Sequence, residues 1–163
     1  DDLYGSTDVI QRDADIERVL PTMERLLPLP ALATIAEAIE LDALSDALDA
    51  ALAARLGPDF DAAAYADAYR AEPRAARERQ LRHVESVGNA LCALVRVPLL
   101  GGTLSMMRGP AKLAGLGELQ SFLERGFAAF KAMPRPRDFV ATVVERERQL
   151  MQQLYDGAVA RNA

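Results

Sequence analysis

Apolar residues recur every three or four positions along most of this 163-residue chain, which is the spacing of an amphipathic α-helix. The clearest example runs from residue 30 or 31 to residue 56 and ends at Gly57-Pro58, a pair that stops helices. No segment alternates polar and apolar residues over the length of a strand, and no hairpin signal joins two β-branched runs. The pattern predicts an all-α fold, a single-domain bundle of about six to eight helices.

Prolines and glycines mark the ends of the other predicted helices. The first covers residues 7 or 8 to 27, with a kink at Pro21, and the others cover 61–70, about 73–95, 99 to about 107, 108–133 and 136 to Gly157. A chain of this length forms one domain, so we predict a single helical domain over residues 1–163. Because the chain begins with Asp1 instead of methionine, we also expect an N-terminal segment of a longer protein to be missing.

Glycines recur in the predicted helix over residues 108–133, RGPAKLAGLGELQSFLERGFAAFKAM. Gly109-Pro110 indicates its start, with proline at the first helical position. An interior glycine costs about 1 kcal/mol relative to alanine, so we expect the glycines to allow close approach of a neighbouring backbone or a ligand. A phosphate site fits poorly, because Gly115-Leu116-Gly117 lacks the third glycine and the preceding strand of a dinucleotide fingerprint.

The candidate binding surface combines these glycines with nearby methionines and phenylalanines. Its predicted residues are Met106, Met107, Gly109, Gly115, Phe122, Gly126, Phe127 and Phe130. Such a groove suits a partner helix, a second copy of the chain or the missing upstream segment. Alternatively, the same residues line a pocket for a small apolar ligand in the bundle core.

Charge is distributed unevenly along the chain, whose formal net charge is −5. Residues 1–68 contain 15 acidic and 4 basic residues, and residues 69–163 contain 9 acidic and 15 basic residues. Either the two halves fold against each other and neutralise, or the C-terminal half presents arginines to an anionic surface. The acidic pI near 5.0 and the lack of aromatics among Arg74 to Arg82 argue against nucleic acid as a partner.

Few residues suit catalysis or metal binding. His83 is the only histidine, which excludes multi-histidine metal sites, and its neighbours along a helix offer no orienting carboxylate. The single cysteine, Cys92, lies among apolar residues and fits a small buried hydrophobe in a reducing cytoplasm. The acidic face of the helix over residues 30–56 is typical of a solvated surface. We therefore expect no metal, no cofactor and no membrane span.

Three stretches resemble the bacterial FFLEELY motif proteins: Asp1-Asp2-Leu3-Tyr4-Gly5, residues 12–15 (RDAD), and RGPAKLAGLGELQSFLERGFAAF. The resemblance covers nearly the whole chain, although Asp1 and Asp2 stand where the naming motif has glutamates. It implies a helical, cytoplasmic bacterial protein and carries over no catalytic residue or cofactor. Together with the residues, it favours a non-enzymatic interaction or scaffold module, ahead of an apolar-ligand carrier and, last, an enzyme that uses His83.

Overall fold

A computed structural model of the chain describes residues 27–113, 115 and 117–157. These residues form seven helices and contain no strand, so the predicted all-α fold is confirmed. None of the described helices is long and apolar enough to cross a membrane. The helices are α1 (Leu29–Arg55), α2 (Ala62–Arg70), α3 (Arg74–Leu94), α4 (Leu100–Met106), α5 (Arg108–Leu113), α6 (Gly117–Ala132) and α7 (Pro136–Tyr155).

The described residues form two compact units. The first unit contains residues 27–33 and 91–134, and therefore holds α4, α5 and α6. The second unit contains residues 34–90 and 135–157, and holds α2, α7 and most of α1 and α3. The expectation that residues 1–163 form one domain stays a prediction, and the helix predicted before residue 27, with its kink at Pro21, lies outside the described residues.

Helix boundaries largely agree with the sequence. α1, α2, α3, α4 and α7 each begin and end within two residues of the predicted positions. α2 begins after Asp61, whose Oδ1 accepts a hydrogen bond from the Ala64 backbone N–H at 2.8 Å, a side-chain cap that satisfies a free donor of the first turn. The agreement of these boundaries shows that proline and glycine positions predict where most of the described helices begin or end.

In the second unit, buried apolar residues of α1, α2 and α7 build the core. Val140, Val144 and Met151 are four and seven residues apart, so they share one face of α7. A Cβ at Gly88 of α3 would lie 2.8 Å from Val140 Cγ1, so α3 approaches α7 closely here. The buried apolar set of this unit is Leu48, Leu52, Ala66, Ala68, Val140, Val144, Met151 and Leu154.

In the first unit, the core lies where α4 and α5 meet α6. A Cβ at Gly101 of α4 would lie 3.1 Å from Cε1 of Phe127 on α6, so this glycine admits the phenylalanine ring. The buried apolar residues are Leu27, Ala31, Cys92, Leu94, Leu100, Met107 and Ala111. Cys92 has no exposed surface, in agreement with its predicted role as a small buried hydrophobe.

The prediction of one continuous helix over residues 108–133 is wrong. The chain forms α5 and α6 instead, and Gly115 between them adopts the left-handed conformation with φ of 79°. Glycine enters this region without the steric penalty of a Cβ, so Gly115 ends the winding of α5. The proline is also not at the predicted first helical position, because α5 begins at Arg108 and Pro110 is its third residue.

Three of the glycines in residues 108–133 do not make the expected close approach to another part of the described chain, and the expected approach of a ligand stays a prediction. A Cβ at Gly109, Gly117 or Gly126 would meet no atom within 4 Å. The glycines that admit a neighbouring side chain are Gly88 and Gly101, outside that stretch. Within the part of the chain that the structure describes, Gly109 and Gly126 therefore face open space.

Candidate interaction surface

α4 and α5 form nearly continuous helical winding. A single residue, Met107, joins them, and it keeps right-handed angles of φ −74° and ψ −10°. The Ala111 backbone N–H donates to the Met107 carbonyl at 2.8 Å. The break follows from Pro110, which has no N–H to donate to the carbonyl one turn earlier. Residues seven apart across α4 and α5 therefore lie on about the same side.

One side of this winding faces the core of the first unit. Leu100, Leu104, Met107 and Ala111 follow the four-three-four spacing of a helix face, and all except half-buried Leu104 are at most 6% exposed. The buried Gln120 side chain of α6 donates to the Leu104 carbonyl at 2.6 Å. This side of α4 and α5 is therefore fixed against α6.

The opposite side of the same winding carries large apolar residues in solvent. Leu99, Met106 and Leu113 are 86%, 74% and 92% exposed, and they are spaced by seven residues. Gly102 lies three residues after Leu99, and Gly109 lies three residues after Met106. A Cβ at either glycine would meet no atom of the described residues within 4 Å. We call these five residues, Leu99, Gly102, Met106, Gly109 and Leu113, the apolar stripe.

The apolar stripe departs from the usual composition of a solvent-facing helix surface, where polar and charged residues stand. Burial of a large apolar side chain stabilises a protein by about 1.5–3 kcal/mol. Leu99, Met106 and Leu113 lack most of this stabilisation because they are exposed. Each glycine further weakens its helix by about 1 kcal/mol relative to alanine. The stripe therefore lowers the stability of the chain by itself, and contact with another surface would reverse much of that loss.

Leu99 adds backbone strain at one end of the apolar stripe. It is the N-cap residue of α4 and has a left-handed φ of 66°, a region where a side-chain-bearing residue costs roughly 1–2 kcal/mol. Its carbonyl accepts the first helical hydrogen bond, from the Thr103 backbone N–H at 2.9 Å. The chain thus holds an exposed leucine in an unfavourable conformation at the start of the stripe.

A charged pair beside the apolar stripe connects α5 to α6. Arg108 Nε donates to both carboxylate oxygens of Glu124 at 2.7 Å, and Nη2 donates to Glu124 Oε2 at 2.5 Å. These bonds raise the pKa of Arg108. Hydrogen bonds from Arg108 and then from Gln120 lower the pKa of Glu124. Thr103 and Ser105, which flank the centre of the stripe, carry no charge, whereas the exposed Lys112 lies beside Leu113 at its end.

The predicted groove residues are divided between the two sides of α4 and α5 and their surroundings. Met106 is exposed, whereas the adjacent Met107 is 4% exposed and belongs to the core. Phe127 is half-buried against Gly101. Gly115 and Gly126 are exposed, Phe130 is half-buried, and the Phe122 side chain lies outside the described residues. Only Met106 and Gly109 of the predicted set belong to the apolar stripe.

Sequence reasoning missed Leu99, Gly102 and Leu113 as parts of one surface. The signal was present, because the three large residues recur every seven positions and the two glycines do so as well. The prolines at positions 98 and 110 concealed it, since they indicated separate helices. A seven-residue spacing is informative only if the winding continues past Pro110, which the structure establishes through Met107.

A family model described as a domain of unknown function, DUF8198, matches residues 1–161. The chain belongs to this family. No curated protein and no solved structure matches it. The match covers the apolar stripe and both compact units, so the arrangement described here belongs to a DUF8198 domain.

His83 of this DUF8198 domain has the carboxylate partner that its own helix does not supply. Its Nδ1 lies 3.2 Å from Oε1 of Glu37 on α1, and Ser86 Oγ donates to Glu37 Oε2 at 2.7 Å. Glu37 lies on the acidic side of α1, and its side chain, 29% exposed, also contacts α3. The carboxylate lies between the hydroxyl and the imidazole, whereas a catalytic triad has the imidazole between the other two groups. We interpret this cluster as a link between α1 and α3.

Arg77 of α3 is buried, unlike the neighbouring Arg74 and Arg79. It is 6% exposed, and its guanidinium carbon lies 4.5 Å from the ring centroid of Tyr69. Nη1 donates to Gln80 at 3.2 Å, and the nearest carboxylate oxygen, on Asp49, is 3.9 Å away. Among the described residues, Nε and Nη2 have no hydrogen-bond partner, so the cation–π contact with Tyr69 stabilises much of this buried charge.

Tyrosines surround that arginine at the meeting of α2 and α7. Tyr69 contacts Tyr65 and Tyr155, with ring centroids 6.2 and 5.6 Å apart. Burial raises the pKa of both Tyr69 and Tyr155, and the Tyr155 hydroxyl donates to the Glu72 carbonyl at 2.9 Å. These contacts favour a packing role for the cluster. Within residues 27–113, 115 and 117–157, no group of three His, Cys, Asp or Glu residues could hold a metal ion.

Proposed function

We propose that this DUF8198 domain is a non-enzymatic protein–protein interaction module that binds a helix along the apolar stripe. One observation carries the proposal: Met106 and Leu113, 74% and 92% exposed, share one side of α4 and α5, and Leu99, 86% exposed, directly precedes α4. Large apolar residues that line one side of a helix in solvent mark interaction sites. The glycines between them let a partner backbone come close.

The shape of the apolar stripe favours a helix over a small molecule. It is a ridge of three large side chains separated by two glycines, and it follows the outside of α4 and α5. A helix presents the matching pattern, with side chains that enter the spaces above the glycines. The buried thiol of Cys92 fits a reducing compartment, and we place this function in the bacterial cytoplasm.

Site-specific photo-cross-linking in the native host tests the proposal. A photoreactive benzoylphenylalanine at Leu113 should yield a covalent adduct with a protein, because this position ends the apolar stripe and is 92% exposed. The same group at Ala141, an exposed position of α7, is the matched control and should yield none. Equal adducts at both positions, or none at Leu113, would contradict the proposal.

The mass of the adduct separates this function from the alternative predicted from sequence. A carrier of a small apolar ligand would give an adduct of a few hundred daltons instead of a protein. That result would replace the interaction module by the carrier.

A further inference from the structure

We draw no further inference here: the strongest candidate, the apolar stripe along the outer side of α4 and α5, belongs to the surface already described, and nothing in the structure shows what covers it.

Discussion

The two compact units differ in the exposed fraction of their most exposed large apolar side chains. In the first unit, the large residues of the apolar stripe are 74–92% exposed, whereas the most exposed large apolar residue described in the second unit, Phe60, is 53% exposed. Both units join their helices through side chains: Glu37 with His83 and Arg70 Nη1 with the Leu154 carbonyl at 2.8 Å in the second, and Arg108 with Glu124 in the first. The contrast indicates that the second unit is built for its own stability and that the first unit keeps a surface for contact.

Removal of the buried Arg77 should produce the largest loss of stability. It tests whether the second unit depends on its internal packing. Arg77→Ala loses the contact over Tyr69 and leaves a cavity, so we expect the free energy of unfolding to fall by about 2–3 kcal/mol. Arg77→Met keeps most of the volume and removes the unpaired nitrogens Nε and Nη2, so it should stay within about 1 kcal/mol of wild type. Urea unfolding measures both, and equal losses would show that charge, rather than packing, stabilises this site.

Two glycine substitutions compare a packed position in the second unit, Gly88, with an open position in the first unit, Gly102. Gly88→Ala places a methyl group 2.8 Å from Val140 Cγ1, and we expect a loss of about 1–2 kcal/mol. Gly102→Ala meets no atom within 4 Å, and the better helix propensity should stabilise α4 by about 0.5–1 kcal/mol. Thermal unfolding at low protein concentration measures both effects. A destabilising Gly102→Ala would show that this side of α4 is already covered.

Relief of strain at Leu99 should produce a smaller gain. Leu99→Gly releases the left-handed leucine and should stabilise the chain by about 0.5–1 kcal/mol, after the higher entropy of unfolded glycine is subtracted. The matched control is Ser105→Gly, at an exposed position inside α4, which should destabilise by about 0.5–1 kcal/mol. Chemical denaturation compares them, and losses of similar size in both variants would exclude strain at Leu99.

The smallest expected effect is the loss of stability at low pH that comes from the Arg108–Glu124 pair, which connects α5 to α6. The pKa of Glu124 is lowered in the folded chain, so its stabilising contribution is complete above its unfolded pKa of roughly 4.3. The contribution is lost as the pH falls through the folded pKa. Glu124→Gln should therefore be less stable than wild type at pH 7, and the difference should shrink below about pH 4.

Arg108→Gln is the control for that titration, because it removes the partner and should reduce the acid dependence by a similar amount. Unfolding free energies of the three proteins at pH 7 and at lower pH give the comparison. A difference between wild type and Glu124→Gln that stays constant with pH would contradict the assigned role of this pair.

Most of the fold follows from the sequence, because apolar spacing and proline positions determine helices locally. The exception is the region around Gly115, where the helical spacing of apolar residues continues although the helix itself ends. Whether a glycine stays in a helix or turns left-handed depends on tertiary contacts that a helical pattern does not encode. Pro110 had the opposite effect. It indicated separate helices, but the helical winding continues from α4 through Met107 into α5.

The interaction surface was only partly predictable. Met106 and Gly109 were recognised, but Met107 was placed on the same surface although it is buried. Adjacent helical residues lie about 100° apart, and the sequence alone does not say which of the two faces the core. Long-range pairs such as Glu37 with His83, 46 residues apart, have no local signal at all.

The most direct test of the central claim compares what the wild-type chain and Met106→Glu bind when each is expressed at its native level and purified gently. We predict that at least one protein, either an untagged copy of this chain or another protein, is recovered with wild type and with Ala141→Glu but is lost from Met106→Glu. Quantitative mass spectrometry would measure the recovery. Identical sets of bound proteins for all three would contradict the claim that the apolar stripe is a binding surface.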